Sequence, residues 1–317
     1  MKRVSLYYDQ YVLEEKIGGG GFATIYRARE RGQDDPRAIK VAQISDDAGV
    51  GKSIRMEARY LSELEHNSIV RVIPLNRTNA HPVFSARAVE LDGRPDFFVM
   101  EYLQGGTLNK LLDESGPLPP SEAVAIALEI ARALHHMHKE RLTHNDLKLE
   151  NIVMRHPVRA GEPYTPVLID LGVAARILPP EALSAYITPP EQVRHNKMEI
   201  APELEEEIDR KKVDVWGLGV VLYRMLGGKL PFTGNEKILT QRILHERPTS
   251  LTRLSSLVST ELEELVIDGC LAKDPADRLS MFDLGRSLLT HDHNIIASRD
   301  ISLNGKGRFP FLGRNTR

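Results

Sequence analysis

The sequence predicts an α+β protein of two lobes, the first a small β-sheet carrying one helix and the second larger and mainly helical. Three observations carry this. The 317 residues exceed the size at which a single hydrophobic core usually stops growing. Residues 11–100 read as short β-rich runs separated by Gly-, Asp- and Asn-containing turns. After Gly105-Gly106 the pattern changes to that of amphipathic helices. These changes divide the chain into an N-terminal extension at 1–10, a first lobe at 11–100, a connection at 101–106, a second lobe at 107–290 and a tail at 291–317.

In the first lobe the strand-like runs include Ile17, Ile25-Tyr26, Ala38-Ile39-Lys40-Val41 and stretches at 69–73 and 97–100. The helix between them is expected to begin near Ser53 as its N-cap, placing Glu57, Leu61 and Leu64 at i, i+4 and i+7 on one face. Gly51-Lys52-Ser53 looks like the end of a P-loop, but that motif needs a glycine five positions earlier and Asp46 stands there.

In the second lobe a helix is expected from Ser121 to about residue 141, opened by Pro119-Pro120, with Val124, Leu128, Ala131 and Leu134 as a core stripe. A second, at 213–226, is apolar nearly all round and stops at Gly227-Gly228, as a helix at the centre of the lobe would. The stretch 198–212 carries Glu203, Glu205, Glu206 and Glu207 ahead of Arg210, Lys211 and Lys212, and reads either as a solvated helical face or as a docking surface for a regulator. The tail is expected to be loosely packed.

Composition narrows the function classes. Hydrophobic residues make up 41% and charged residues 27%, values of a globular chain. A net charge of -2 provides no basic footprint for nucleic acid or an anionic membrane. One cysteine, Cys270, cannot form an intrachain disulfide and reads as a buried apolar residue of a cytoplasmic protein. Residues 1–16 lack the apolar core of a secretory signal, and no uninterrupted apolar run approaches the ~18 residues of a membrane span.

The chemistry lies in a series of motifs. Ile17-Gly18-Gly19-Gly20-Gly21-Phe22-Ala23-Thr24-Ile25 joins two strand runs, where glycines let backbone N–H groups approach phosphate oxygens. Lys40 on the following strand points to the face opposite Ile39 and Val41, toward that loop, and Glu57 is its natural ion-pair partner. Next come His144-Asn145-Asp146-Leu147-Lys148-Leu149-Glu150-Asn151 and Leu168-Ile169-Asp170-Leu171-Gly172. Phosphoryl transfer needs a carboxylate to orient the attacking hydroxyl, oxygen ligands for Mg2+ and a cation near the moving phosphate; Asp146, then Asn151 with Asp170, then Lys148 are those residue types.

With these motifs in this order, the chain resembles the eukaryotic-type (Hanks-type) serine/threonine protein kinases from about Tyr11 to Leu289. The resemblance implies the bilobal protein-kinase fold, with a small antiparallel sheet in the N-lobe, and catalysis with ATP and Mg2+ on protein Ser or Thr hydroxyls. It implies catalytic roles for Asp146, Lys148, Lys40 and Glu57, and metal binding by Asn151 and Asp170. ATP would meet Gly18, Gly20, Ile25, Ala38 and Lys40, with Met100 guarding the adenine pocket and the backbone of Glu101 to Leu103 forming a hinge. Pro189-Pro190-Glu191 stands where the family has Ala-Pro-Glu, with Arg278 as the partner of that glutamate, and Asp214-Val215-Trp216-Gly217-Leu218-Gly219 matches the helix that anchors the catalytic loop.

Three features depart from the family. Asn145 replaces an arginine that commonly binds an activation-segment phosphate, so control by that phosphate is not expected. Leu171 replaces a phenylalanine, and Ala23 the third loop glycine. A nucleotide-binding pseudokinase scaffold and a small-molecule kinase of the choline or aminoglycoside type are the alternative readings. Lys148, Pro189-Pro190-Glu191, Asp214 and Arg278 favour a protein acceptor over a small molecule.

Overall fold

The computed structural model describes residues 4–7, 9–43, 48–76, 81–171, 185–197 and 209–302. Gly172 of the second motif and residues 198–208 of the charged stretch lie outside the described residues.

In the first lobe the strands are β1 (Val4–Leu6), β2 (Tyr11–Gly19), β3 (Ala23–Glu30), β4 (Pro36–Ala42), β5 (Val72–Ile73), β6 (Ser85–Arg87) and β7 (Asp96–Glu101). All pair antiparallel in the order β1-β2-β3-β4-β7-β5, with β6 also on β7. The two-residue alternation of side chains sorts both central strands. Ala38, Ala42, Phe98 and Met100 enter the core shared with the rest of the protein. Ile39, Val41, Phe97 and Val99 enter a second cluster on the opposite face with Leu6, Tyr11 and Leu13. The sheet is therefore covered on both sides, and the N-terminal extension contributes a strand to it. The sequence reading missed β1 and β6 because three residues are too few to show a period.

Helix α1 (Ala48–Ser62) crosses the inner face. Ser53 lies in its interior and does not cap it, correcting the expectation. The buried stripe Val50, Ile54, Ala58 and Leu61 extends the helix upstream, and its packing overrides the poor helix propensity of Gly49 and Gly51.

The second lobe holds α2 (Leu108–Ser115), α3 (Pro120–Lys139), the hairpin β8 (Ile152–Met154) and β9 (Pro166–Leu168), α4 (Pro190–Lys197), α5 (Arg210–Gly227), α6 (Glu236–His245), α7 (Leu251–Leu254), α8 (Thr260–Ile267) and α9 (Met281–Ser302). Helix α3 starts at Pro120, one residue ahead of Ser121, because proline's fixed φ suits a first helical position. Its stripe of Val124, Leu128, Ala131 and Leu134 is buried. Helix α5 starts at Arg210, where Asp209 accepts from the Lys211 N–H at 3.0 Å, and stops at the left-handed Gly228 (φ 71°). Gly219 admits a close neighbour, since a Cβ there would lie 2.6 Å from Cys270 Cβ. Helix α9 carries the fold past residue 291 to Ser302, through the first part of the expected tail. The lobes also meet through backbone bonds beside the 101–106 connection, Val70 N–H to Leu168 at 2.8 Å and Leu168 N–H to Ser68 at 3.0 Å.

Candidate active site

Lys40 faces α1, and its Nζ lies 2.7 Å from each carboxylate oxygen of Glu57 and 3.1 Å from Asp170 Oδ2. Burial alone would lower the lysine pKa, but the charges of Asp170 and Glu57 outweigh it and hold it above the ordinary value. Glu57 is pushed up to about 7, by burial first, with Lys40 pulling it down and Asp170 adding to the rise. The lysine therefore stays a cation.

The loop after α3 hangs on Asp214. This fully buried carboxylate accepts from the N–H of His144 at 3.0 Å and of Asn145 at 2.7 Å, and lies 2.7 Å from His138 Nε2. Asn145 takes φ +62°, a left-handed conformation that asparagine adopts more readily than most residues, and its Nδ2 donates to Thr143 Oγ1 at 3.1 Å. Burial lowers the pKa of His144, keeping its ring neutral. Asp146 Oδ2 accepts from Lys148 Nζ at 2.7 Å and from Asn151 Nδ2 at 3.2 Å. Asp146 Oδ1 is buried and has no hydrogen-bond partner among the described residues.

These groups open on a cavity of about 750 Å³, within the range of small-molecule sites. It is lined by every site residue selected from the sequence: Gly18, Gly20, Ile25, Ala38, Lys40, Glu57, Met100, Glu101, Leu103, Asp146, Lys148, Asn151 and Asp170. Val70, Val153 and Ile169 complete its apolar end and were not singled out, since scattered aliphatic residues show no pattern until the fold collects them. The Glu101 carboxylate pairs with Arg155 and accepts from the Arg71 N–H at 2.9 Å. Within the glycine loop the strongest steric demand falls on Gly19, with φ +140° and a prospective Cβ 2.6 Å from the Ala23 carbonyl. Asn151 turns its Nδ2 to Asp146, so its Oδ1 and the partly exposed Asp170 carboxylate are hard oxygen donors of the kind magnesium takes together with phosphate oxygens. A smaller cavity of about 380 Å³, beside Gln104, His156 and Tyr164, holds no such lysine–carboxylate cluster.

Away from the cavity, Arg278 clamps Glu191 through two bonds of 2.8 and 2.7 Å, the pair expected from the sequence.

Comparison with known proteins bears on the family and the fold. The protein kinase domain family matches residues 11–292. The chain is 31% identical over 294 residues to the serine/threonine-protein kinase PkaA of Streptomyces coelicolor, covering 88% of this chain and 49% of the relative. It is 30% identical over 282 residues to the serine/threonine-protein kinase PknL of Mycobacterium bovis, covering 85% and 62%. The chain thus spans about half to three fifths of these relatives' lengths. Among solved structures, it resembles in fold the crystal structure of Rad53 1-466 in complex with AMP-PNP, with a TM-score of 0.65 at 23% identity over 88% of this chain and 65% of that one.

Proposed function

We propose, from the premise that this chain belongs to the protein kinase family, that it transfers the γ-phosphoryl group of ATP to serine or threonine hydroxyls of protein substrates, with magnesium. The observation that carries the reading is the buried Lys40–Glu57 pair, bonded to the partly exposed Asp170 and facing Asp146 and Asn151 within one cavity. The apolar end, with the hinge backbone at 101 and 103, suits an adenine ring; Lys40, steadied by Glu57, holds the α- and β-phosphates. The Asp146 carboxylate orients the acceptor hydroxyl and takes its proton as the new O–P bond forms, and ADP leaves with the electrons of the broken bond. Lys148, 2.7 Å from Asp146, brings positive charge beside the moving phosphate. Magnesium, held by Asn151 and Asp170, would neutralise developing charge on the phosphates.

The names of PkaA and PknL support Ser or Thr as acceptors. Among the described residues no helix is long and apolar enough to cross a membrane. The single, buried Cys270 supports a cytoplasmic placement, and the charged stretch 198–212 is where a regulator would dock.

The test is label transfer from ATP with Mg2+ to the protein itself and to generic basic and acidic proteins, comparing wild type with Asp146→Asn. Label on Ser or Thr that vanishes in the variant is expected. ATP binding without transfer would return the scaffold reading, and label only on small alcohols the small-molecule one.

A further inference from the structure

Among the described residues, Glu57 is one of two charged groups through which α1 is tied to the sheet. The other is Arg55, whose Nη1 pairs with Oδ2 of Asp96, the first residue of β7. Asp96 is buried, and α1 approaches it so closely that a Cβ on Gly51 would come 2.3 Å from that same oxygen. Gly51 and Arg55 are four residues apart, hence neighbours on one helix face, and the carboxylate rests against that face. Helix α1 has no acidic residue in its first turn, so Asp96 also brings negative charge toward the helix end that favours it.

At about 100° per residue, Arg55 and Glu57 project about 200° apart around the helix axis. Their partners sit on adjacent strands, Lys40 on β4 opposite Phe98 of β7, and Asp96 two residues before Phe98. The apolar stripe of Val50, Ile54, Ala58 and Leu61 holds α1 against the sheet, but burial is non-directional and leaves rotation about the axis weakly defined. Two directional pairs on opposite sides define it, because a rotation that brings one closer draws the other away.

We infer that Asp96, Gly51 and Arg55 form a positioning latch that sets the rotation of α1, and through it the reach of Glu57 to Lys40. The inference rests on the kinase reading for its effect on catalysis. None of the three residues lines the nucleotide cavity, so they act through Glu57.

The decisive variants are Arg55→Met, which keeps the aliphatic stem at a side chain 45% exposed, and Gly51→Ala, whose new methyl displaces the Asp96 carboxylate. Alanine is the better helix former, so a loss in Gly51→Ala cannot come from helix propensity. Both are expected to lower kcat by about tenfold or more while leaving KM for ATP within about twofold, since the adenine contacts lie elsewhere. Both are also expected to speed amide hydrogen exchange along α1 without changing it in β4 and β7, and Arg55→Lys to recover most of the activity. If wild type transfers no phosphate, the kinase reading fails while the exchange pattern still decides the latch. Wild-type kcat with unchanged α1 exchange in both variants, or a lower melting temperature with full kcat per folded molecule, would overturn it.

Discussion

Truncating Arg278 to alanine should destabilise the second lobe far more than it alters any contact with nucleotide. The arginine side chain has no exposed area and that of Glu191 only 13%. Beyond the two bonds to Glu191, its Nε donates to the Ala272 carbonyl at 2.8 Å and Nη1 to that of Lys212 at 3.2 Å, and its guanidinium carbon lies 4.9 Å from the Trp216 ring centroid. Alanine leaves Glu191 as an uncompensated, largely buried charge and removes the donors of two carbonyls, at a cost of about 3 to 5 kcal/mol. For a domain of this size that corresponds to a melting temperature lower by roughly 6 to 10 °C. Arg278→Lys keeps the charge but not the planar fork, and should lose about half as much. Arg278→Met combined with Glu191→Leu removes both charges together and should regain most of the loss, a coupling that a double-mutant cycle reads directly. Calorimetry on the single and double variants is the assay. An Arg278→Ala protein melting within about 2 °C of wild type would refute the reasoning.

Three further outcomes follow from other parts of the molecule. Because Glu57 is pushed up to about 7 and must be ionised to hold Lys40, kcat/KM for ATP should fall as pH drops through about 7, and Glu57→Gln should remove that limb along with most activity; an acid limb that survives in the variant argues for another group. Leu6→Ala, at a fully buried side chain of β1, should cost about 3 kcal/mol in urea unfolding with ATP affinity intact, whereas a cost near zero would mean the extension is not part of the lobe's core. Since Asn145 is buried and bonded to Thr143, phosphatase-treated enzyme should keep most of its activity, and its loss would show that activation-segment phosphate matters after all.

Much of the site was legible because its chemistry demands particular residue types. Lys40 could be assigned a face from Ile39 and Val41 alone, since side chains alternate along a strand, and Asp146, Asn151 and Asp170 stand in two short segments with little else to explain them. Element boundaries were less legible. A serine before an apolar stripe looks like a cap, yet α1 begins at Ala48 because the stripe itself starts at Val50, a residue whose burial depends on the sheet beneath it. Helix α9 likewise outruns the periodic region used to place the tail.

What the sequence determined by itself was the lobe order and the residue types of the candidate site, because local periodicity and residue chemistry are properties of the chain, while the Glu191–Arg278 pair, 87 positions apart, was expected only through the family resemblance. Tertiary structure alone decided that Val70, Val153 and Ile169 meet in one cavity, that Asp214 gathers His138 with two loop N–H groups, and that Asp96 reaches Arg55. Those groupings join residues up to 99 positions apart, between Val70 and Ile169, and no local pattern encodes a proximity that arises only when the lobes pack.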